Sequence, residues 1–277
     1  MKGIITGTLC ISALLISQQS MAQGSGANSL NINSFTPPTK SKPVVKKIKP
    51  LRKEFSIGLR LNSDGWGVFV DKGWVKSQDR QSDLFYDTRV FQVELAEKHH
   101  PKEIKRTNTL GSFATENPTP FVFGKVNNFY ALKLGYGNRK MIAGKPESGT
   151  VSVHWVYLGG LSLGLLKPYY INIVAPGTSA KETIKYSEAT KNDFLYQNGI
   201  VGAAGFSKGI GEVNIVPGIH AKTALHFDFA ASRHSKLAIE TGINIEYYTG
   251  KVMIMANQAD KSFFTNVYAS IQFGRRK

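Results

Sequence analysis

The sequence predicts an all-β chain: an eight-stranded, up-and-down antiparallel β-barrel that crosses a membrane. Three observations predict it. Apolar and polar residues alternate along eight segments, most of them long enough to span a bilayer. The polar face of those segments mixes charges of both signs with glycine and serine, and aromatic residues stand near the ends of the apolar face. The stretch TVSVHWVYLGGLSLGLL, residues 150–166, shows the pattern most clearly. Val151, Val153, Trp155, Tyr157, Leu161, Leu163 and Leu165 share one face, and Ser152, His154, Gly160, Ser162 and Gly164 share the other.

Ahead of the strands come two segments of different character. Lys2, an apolar run from Ile4 to Ile16 and the small-residue site Ser20-Met21-Ala22 have the layout of a secretory signal peptide over 1–22, cut after Ala22. Residues 23–53 carry Ser, Asn, Pro and Lys, including PPTKSKPVVKKIKPLRK, and read as a disordered basic linker that acts as a solvated spacer. Cys10 is the only cysteine of the 277 residues, so after cleavage no disulfide, thiolate nucleophile or Cys-bound metal is available. Lys and Arg number 35 against 19 Asp and Glu, a balance that in an exported protein points to anionic lipid or glycan rather than nucleic acid.

The strands follow from Glu54. In the first, Phe55, Ile57, Leu59 and Leu61 oppose Ser56, Gly58 and Arg60, and NSDG then makes a tight hairpin. The second, 65–77, sets Trp66, Val68, Val70 and Trp74 in phase. The third, 85–98, sets Phe91, Val93 and Leu95 against Gln92 and Glu94, and the fourth, 127–140, sets Tyr130, Leu132, Leu134 and Tyr136 against Lys133, Gly135 and Gly137. The fifth is the stretch quoted above. In the sixth, 217–229, Ile219, Leu225 and Phe227 oppose His220, Lys222, His226 and Asp228. The seventh, 236–249, opposes Ile239, Ile243, Ile245 and Tyr247 to Glu240 and Glu246. The eighth, 263–274, opposes Val267, Ile271 and Phe273 to Asn266 and Gln272.

Alternation alone leaves open which face meets water. In a narrow membrane barrel the polar face is a packed interior, where glycine makes room and opposite charges pair. The expected interior network is Arg60, Glu94, Lys133, His154, His220, Lys222, His226, Asp228, Glu240 and Glu246, and Trp66, Trp74, Trp155 and Phe273 are the expected interface aromatics. With the chain entering from the inner side, the short connections at about 78–84, 141–149 and 230–235 lie inside, and the longer ones at about 99–126, 167–216 and 250–262 lie outside. Lys72 falls on the lipid-facing parity; it is expected near the inner interface, beside Trp74, with a bulge at Gly73 as the alternative. Ten strands would result if PFVFGKV or GEVNIVP each added one.

On these residues the chain, over about 54–277, resembles small bacterial outer-membrane β-barrel proteins, a largely uncharacterised group with a closing strand like FFTNVYASIQFGRRK and segments like NNFYALKLGYGNRKMI, GGLSLGLLKPYY and VPGIHAKTALHFDF. The resemblance implies an outer-membrane location, with the linker in the periplasm, and no catalytic motif. Many such barrels end on an aromatic residue; here Phe273 is followed by GRRK.

No Walker loop, dinucleotide fingerprint or zinc-protease helix is present, and no cofactor is expected. His220, His226 and Asp228, with Ser152 and His154, hold the residue types of a hydrolase, but no spacing forces them together, and a polar interior network explains them. His99-His100-Pro101 opens an outer loop without a third metal ligand nearby. LYQNGIVGAAGFSKG reads as a flexible part of the longest loop, and SEATKNDFLYQ before it as a short helix. The expected role is non-enzymatic: a barrel set in outer-membrane lipid, structural or meeting a protein or glycan partner through loops 99–126 and 167–216. Two other readings are a lipid-modifying barrel enzyme and a soluble secreted barrel that binds an apolar ligand.

Overall fold

The computed structural model describes residues 52–75, 87–108, 119–144, 150–174, 180–229 and 234–277. The expected leader, and the linker as far as residue 51, lie outside the described residues. In chain order the strands are β1 (Lys53–Asn62), β2 (Gly65–Val75), β3 (Thr88–Lys98), β4 (Lys105–Arg106), β5 (Phe121–Val122), β6 (Asn127–Ala143), β7 (Val151–Pro168), β8 (Tyr170–Val174), β9 (Lys181–Lys185), β10 (Ile200–Ala203), β11 (Asn214–Phe229), β12 (Ser235–Val252) and β13 (Lys261–Arg276). A short helix, α1 (Lys191–Phe194), lies between β9 and β10.

Eight strands close into one barrel in the order β1-β13-β12-β11-β7-β6-β3-β2, each pair antiparallel. Each barrel strand therefore pairs with the barrel strands before and after it, and β13 returns to β1 over Glu54↔Arg276 to Asn62↔Tyr268. The ten-strand alternative does not form. From PFVFGKV only Phe121 and Val122 become a strand, in a two-stranded sheet with β4, and GEVNIVP lengthens β11 at its start. Among the described residues no helix is long and apolar enough to cross a membrane.

Burial alternates along every barrel strand. Ile57, Leu61, Leu134, Leu161, Ile219 and Val267 point out and are exposed, while Arg60, Lys133, His226, Glu240 and Gln272 are buried inside. This is the reverse of a soluble barrel, where the aliphatic face fills the core. Glycines on the polar face make room for large inward side chains. A Cβ at Gly58 would lie 2.4 Å from the Phe69 ring across the β1–β2 pair, and one at Gly164 would meet the Phe129 and Tyr248 rings at 3.0 Å. The β1–β2 register runs without a break from Lys53↔Trp74 to Asn62↔Gly65, so no bulge rephases Lys72. Lys72 faces outward near the strand's lower end, its ammonium 5.4 Å from the Trp74 ring.

The strands differ in reach. β1, β2 and β3 have 10, 11 and 11 residues, about the length that crosses a bilayer. β6, β7, β11, β12 and β13 have 16 to 18 and project beyond it. The long outer connections stack on those projecting ends.

Candidate functional site

The barrel interior is built from charged side chains arranged in three tiers. At the lower end Glu54 pairs with Arg139 and accepts from Lys236 Nζ at 2.9 Å. Arg276 pairs with Asp228, and Asp71 accepts from Gln92 at 2.6 Å. In the middle Glu240 accepts from Lys222 Nζ at 2.9 Å and from the Tyr268 hydroxyl at 2.8 Å, and lies 3.1 Å from His226 Nδ1. Arg60 pairs with Glu94, stands 3.5 Å from Glu240, and has its guanidinium carbon 4.6 Å and 4.3 Å from the Phe69 and Tyr268 ring centres. In the upper tier Glu246 receives Lys133 at 3.2 Å, Lys98 at 3.1 Å and the Tyr248 hydroxyl at 2.7 Å; Lys98 also reaches Asp64 at 2.9 Å.

Seven basic side chains, Arg60, Lys98, Lys133, Arg139, Lys222, Lys236 and Arg276, thus meet seven acidic ones, Glu54, Asp64, Asp71, Glu94, Asp228, Glu240 and Glu246. The balance is a physical requirement, since a buried charge without a partner costs several kcal/mol. The expected members Arg60, Glu94, Lys133, Lys222, Asp228, Glu240 and Glu246 all lie here. The sequence reading missed Glu54, Asp64, Asp71, Lys98, Arg139, Lys236 and Arg276. Strand parity alone would have found most of them: Glu54 is in phase with Ser56 and Arg60, Arg139 with Lys133, and Arg276 with Gln272.

Above the tiers the lumen is closed by apolar side chains. Phe129, Tyr248, Leu166, Val216, Val252, Ile254 and Met255 form one buried cluster, with Phe264 packed against it. Phe129, Tyr248 and Phe264 make three ring contacts, with centroids 5.3 to 5.8 Å apart. This plug, which Val122 also joins, was not foreseen, because it draws residues from six separate segments.

Over the plug the outer connections fold into a cap. β8 pairs with β9 on one side and β10 on the other, and Phe121, Ile171, Ile173, Ile184, Phe194 and Ile200 form a core separate from the plug. The expected short helix is α1, which contributes Phe194. LYQNGIVGAAGFSKG departs from the flexible loop expected of it: Ile200–Ala203 are strand β10, with Ile200 and Val201 buried. On the cap surface Glu212 is clamped between Lys185 and the Tyr170 hydroxyl, the latter at 2.7 Å. Those two hydrogen bonds hold its carboxyl below the ordinary glutamate value. A cleft of about 630 Å³ opens between cap and barrel wall, lined among others by Trp66, Glu97, His99, His100, Lys105 and Tyr169.

The chemistry candidates do not assemble a reactive site. β7–β11 pairing sets His154 opposite His226 and Ser152 opposite Asp228, with the imidazoles 5.9 Å apart between centroids. Among the described residues the Ser152 hydroxyl has no hydrogen-bond partner. His220 instead meets Ser162, Nδ1 to Oγ at 3.1 Å, and both are buried. His99 lies 3.4 Å from Glu97, and His100 Nδ1 accepts the Lys102 backbone N–H at 3.2 Å. Burial, and after it the Lys261 charge, push the His100 imidazole below its ordinary value, while Glu103 works the other way. Among the described residues no group of three or more His, Cys, Asp or Glu is placed to hold a metal. The aromatics Trp66, Trp74, Trp155 and Phe273 all face outward, Trp66 at the upper end of its strand and Trp74 and Phe273 at the lower ends of theirs. Trp155 donates its indole N–H to Thr223 at 2.8 Å on the outer wall.

No protein-family model matches the chain, and no curated protein matches it. Among solved structures it is similar to Neisserial surface protein A (NspA), at 8% identity and a TM-score of 0.38, covering 82% of this chain and 97% of that one. It is also similar to the N-terminal β-barrel domain of Pseudomonas aeruginosa OprF, at 7% identity and a TM-score of 0.31, covering 82% of this chain and 98% of that one. The barrel itself is established by this chain's own register: eight antiparallel strands, aliphatic outside and charged within.

Proposed function

We propose that the protein is an integral outer-membrane barrel without catalytic activity, and that its folded cap presents a recognition surface to a protein or glycan partner outside the cell. The inversion of the barrel carries the membrane part of this reading. Its exposed wall is lined by residues such as Ile57, Leu61, Leu161 and Val267, a contiguous apolar surface far larger than soluble proteins leave open. The filled lumen and plug support a scaffold rather than a channel. The cap supports recognition, since a separate core holds its surface in one shape and lowers the ordering cost of binding. In this orientation the leader directs export, and the basic linker lies in the periplasm.

Two experiments test it. The first is gel mobility of the detergent-extracted membrane fraction, with and without boiling. A boil-dependent shift is expected; a protein found in the soluble fraction without a shift overturns the membrane reading. The second replaces 169–213 with a short turn. The barrel should keep its shift while surface binding is lost, and binding unchanged by the deletion removes the cap from the function.

A further inference from the structure

On the lower outer wall, four basic residues, Lys53, Lys72, Arg275 and Lys277, surround an apolar patch at the seam where the barrel closes. Phe55 on β1 is paired with Arg275 on one side and Lys72 on the other, so the two cations flank one aromatic ring in a single row. Two strand spacings separate their backbones, roughly 10 Å. Lys53 stands one rung lower on the same face of β1. Phe55, Ile57 and Phe273 are all more than half exposed, at 57%, 57% and 55%, and they form the membrane-side floor of the patch. These residues line a groove of about 600 Å³.

The outward-facing charged side chains of the groove, Lys53, Lys72, Arg275 and Lys277, are all basic. Among the described residues Lys53, Lys72 and Arg275 hold no carboxylate partner. Glu54 also lines the groove, but its carboxylate is turned inward and is held by Arg139 and Lys236. The cations lie at the polar end of the outward face, and the apolar floor runs from them toward mid-membrane. A ligand that fits has an anionic head and an apolar tail, in that order.

We propose that this groove binds an anionic glycerophospholipid of the periplasmic leaflet, its phosphate between Lys72 and Arg275 and its acyl chains along Ile57 and Phe273. The proposal rests on the membrane reading above. It goes beyond it by naming a lipid class and a site. Clustered basic side chains at a membrane surface favour anionic headgroups, and partial burial against an apolar wall limits screening of that attraction by salt. Aromatic neighbours at the headgroup level, here Trp74 beside Lys72, fix the depth.

The test is native mass spectrometry of the full chain released from micelles holding equal amounts of dioleoyl phosphatidylglycerol and dioleoyl phosphatidylethanolamine. Each protein is first checked for the boil-dependent shift. The wild type should retain phosphatidylglycerol in preference. The triple variant Lys53→Gln, Lys72→Gln, Arg275→Gln should cut that preference about tenfold while keeping the shift. Lys140→Gln, on β6 at the same end of the barrel, should leave it unchanged. Equal retention of both lipids by a wild type that shows the shift overturns the site and spares the membrane reading. An equal loss of preference in Lys140→Gln overturns a local site in favour of general rim charge. Absence of the shift in the wild type removes the membrane reading, and the lipid site with it.

Discussion

Lys133 on β6 spans the bore to Glu246 on β12, with Nζ 3.2 Å from the carboxylate. Two other strands, β7 and β11, lie between them in the wall. The pair is therefore a strut across the lumen rather than a cross-strand contact. Arg139 and Glu54 form a second strut lower down, from β6 to β1. Such struts couple strands that share no backbone hydrogen bonds, and they make the interior act as one unit.

Glu240 is met by Arg60, Lys222, the Tyr268 hydroxyl and the His226 imidazole, so its loss should be felt most. Glu240→Ala leaves Arg60 and Lys222 buried with fewer counter-charges, and should cost about 3–5 kcal/mol. Equilibrium urea unfolding in lipid vesicles measures it. A change under about 1 kcal/mol would show that the middle tier is not the stabilising centre drawn here.

Among the described residues the tiers and the plug fill the lumen with buried side chains. Purified protein in planar bilayers should give no steady conductance. Large, stable channels would contradict both the side-chain packing and the scaffold role.

Leu134 lies at the middle of β6 on the exposed wall. Leu134→Arg should destabilise the membrane-inserted barrel by about 2–4 kcal/mol, measured by the same unfolding assay. If this outward face met water instead of lipid, the substitution would be close to neutral.

Phe194 is fully buried in the cap core. Phe194→Ala should destabilise the cap by about 3–5 kcal/mol and leave the barrel alone. Limited proteolysis should then cut within 180–213 faster than in the wild type, while the boil-dependent shift persists. Loss of the shift would mean that cap and barrel unfold together.

Burial, and after it the Lys261 charge, lower the pKa of His100, whose Nδ1 accepts the Lys102 N–H when the ring is neutral. A histidine whose folded pKa is depressed adds stability above its unfolded pKa of about 6.5 and loses it as pH falls through the folded value. The turn at 99–103 should therefore loosen below the ordinary histidine range and hold firm above it. Amide exchange of that segment between pH 4 and 8 reads this directly, and faster opening at high pH would reverse the assignment.

Strand positions and facing were legible because a barrel writes a period of two into each strand, and a one-residue slip would exchange the two faces. That rule places Arg60, Lys133, Glu240 and Trp155 without any knowledge of partners. It also assigns Lys72 outward, where the unbroken β1–β2 register puts it. The plug and the cap were not legible. Phe129 and Met255 meet across 126 positions of chain, and Phe121 meets Phe194 only after β4, β5 and β8 are in place. No local pattern encodes such contacts. The Gly-rich composition of 199–211 resembles a mobile loop, yet Ile200 and Val201 are buried in its midst. The Ser, His and acid positions illustrate the reverse case. Register brings them close, but the hydrogen bonds go elsewhere: His226 to Glu240 and His220 to Ser162.

The seam between β1 and β13 also sets the order of events in assembly. Ser56 bonds Gln272 across it, 216 residues away in the chain. Every shorter length of emerging polypeptide is an open sheet with two unsatisfied borders and an oily back, the arrangement most prone to pair with other chains. The final strand is thus a latch as well as a wall element. Its pairing with β1 removes both borders in a single step.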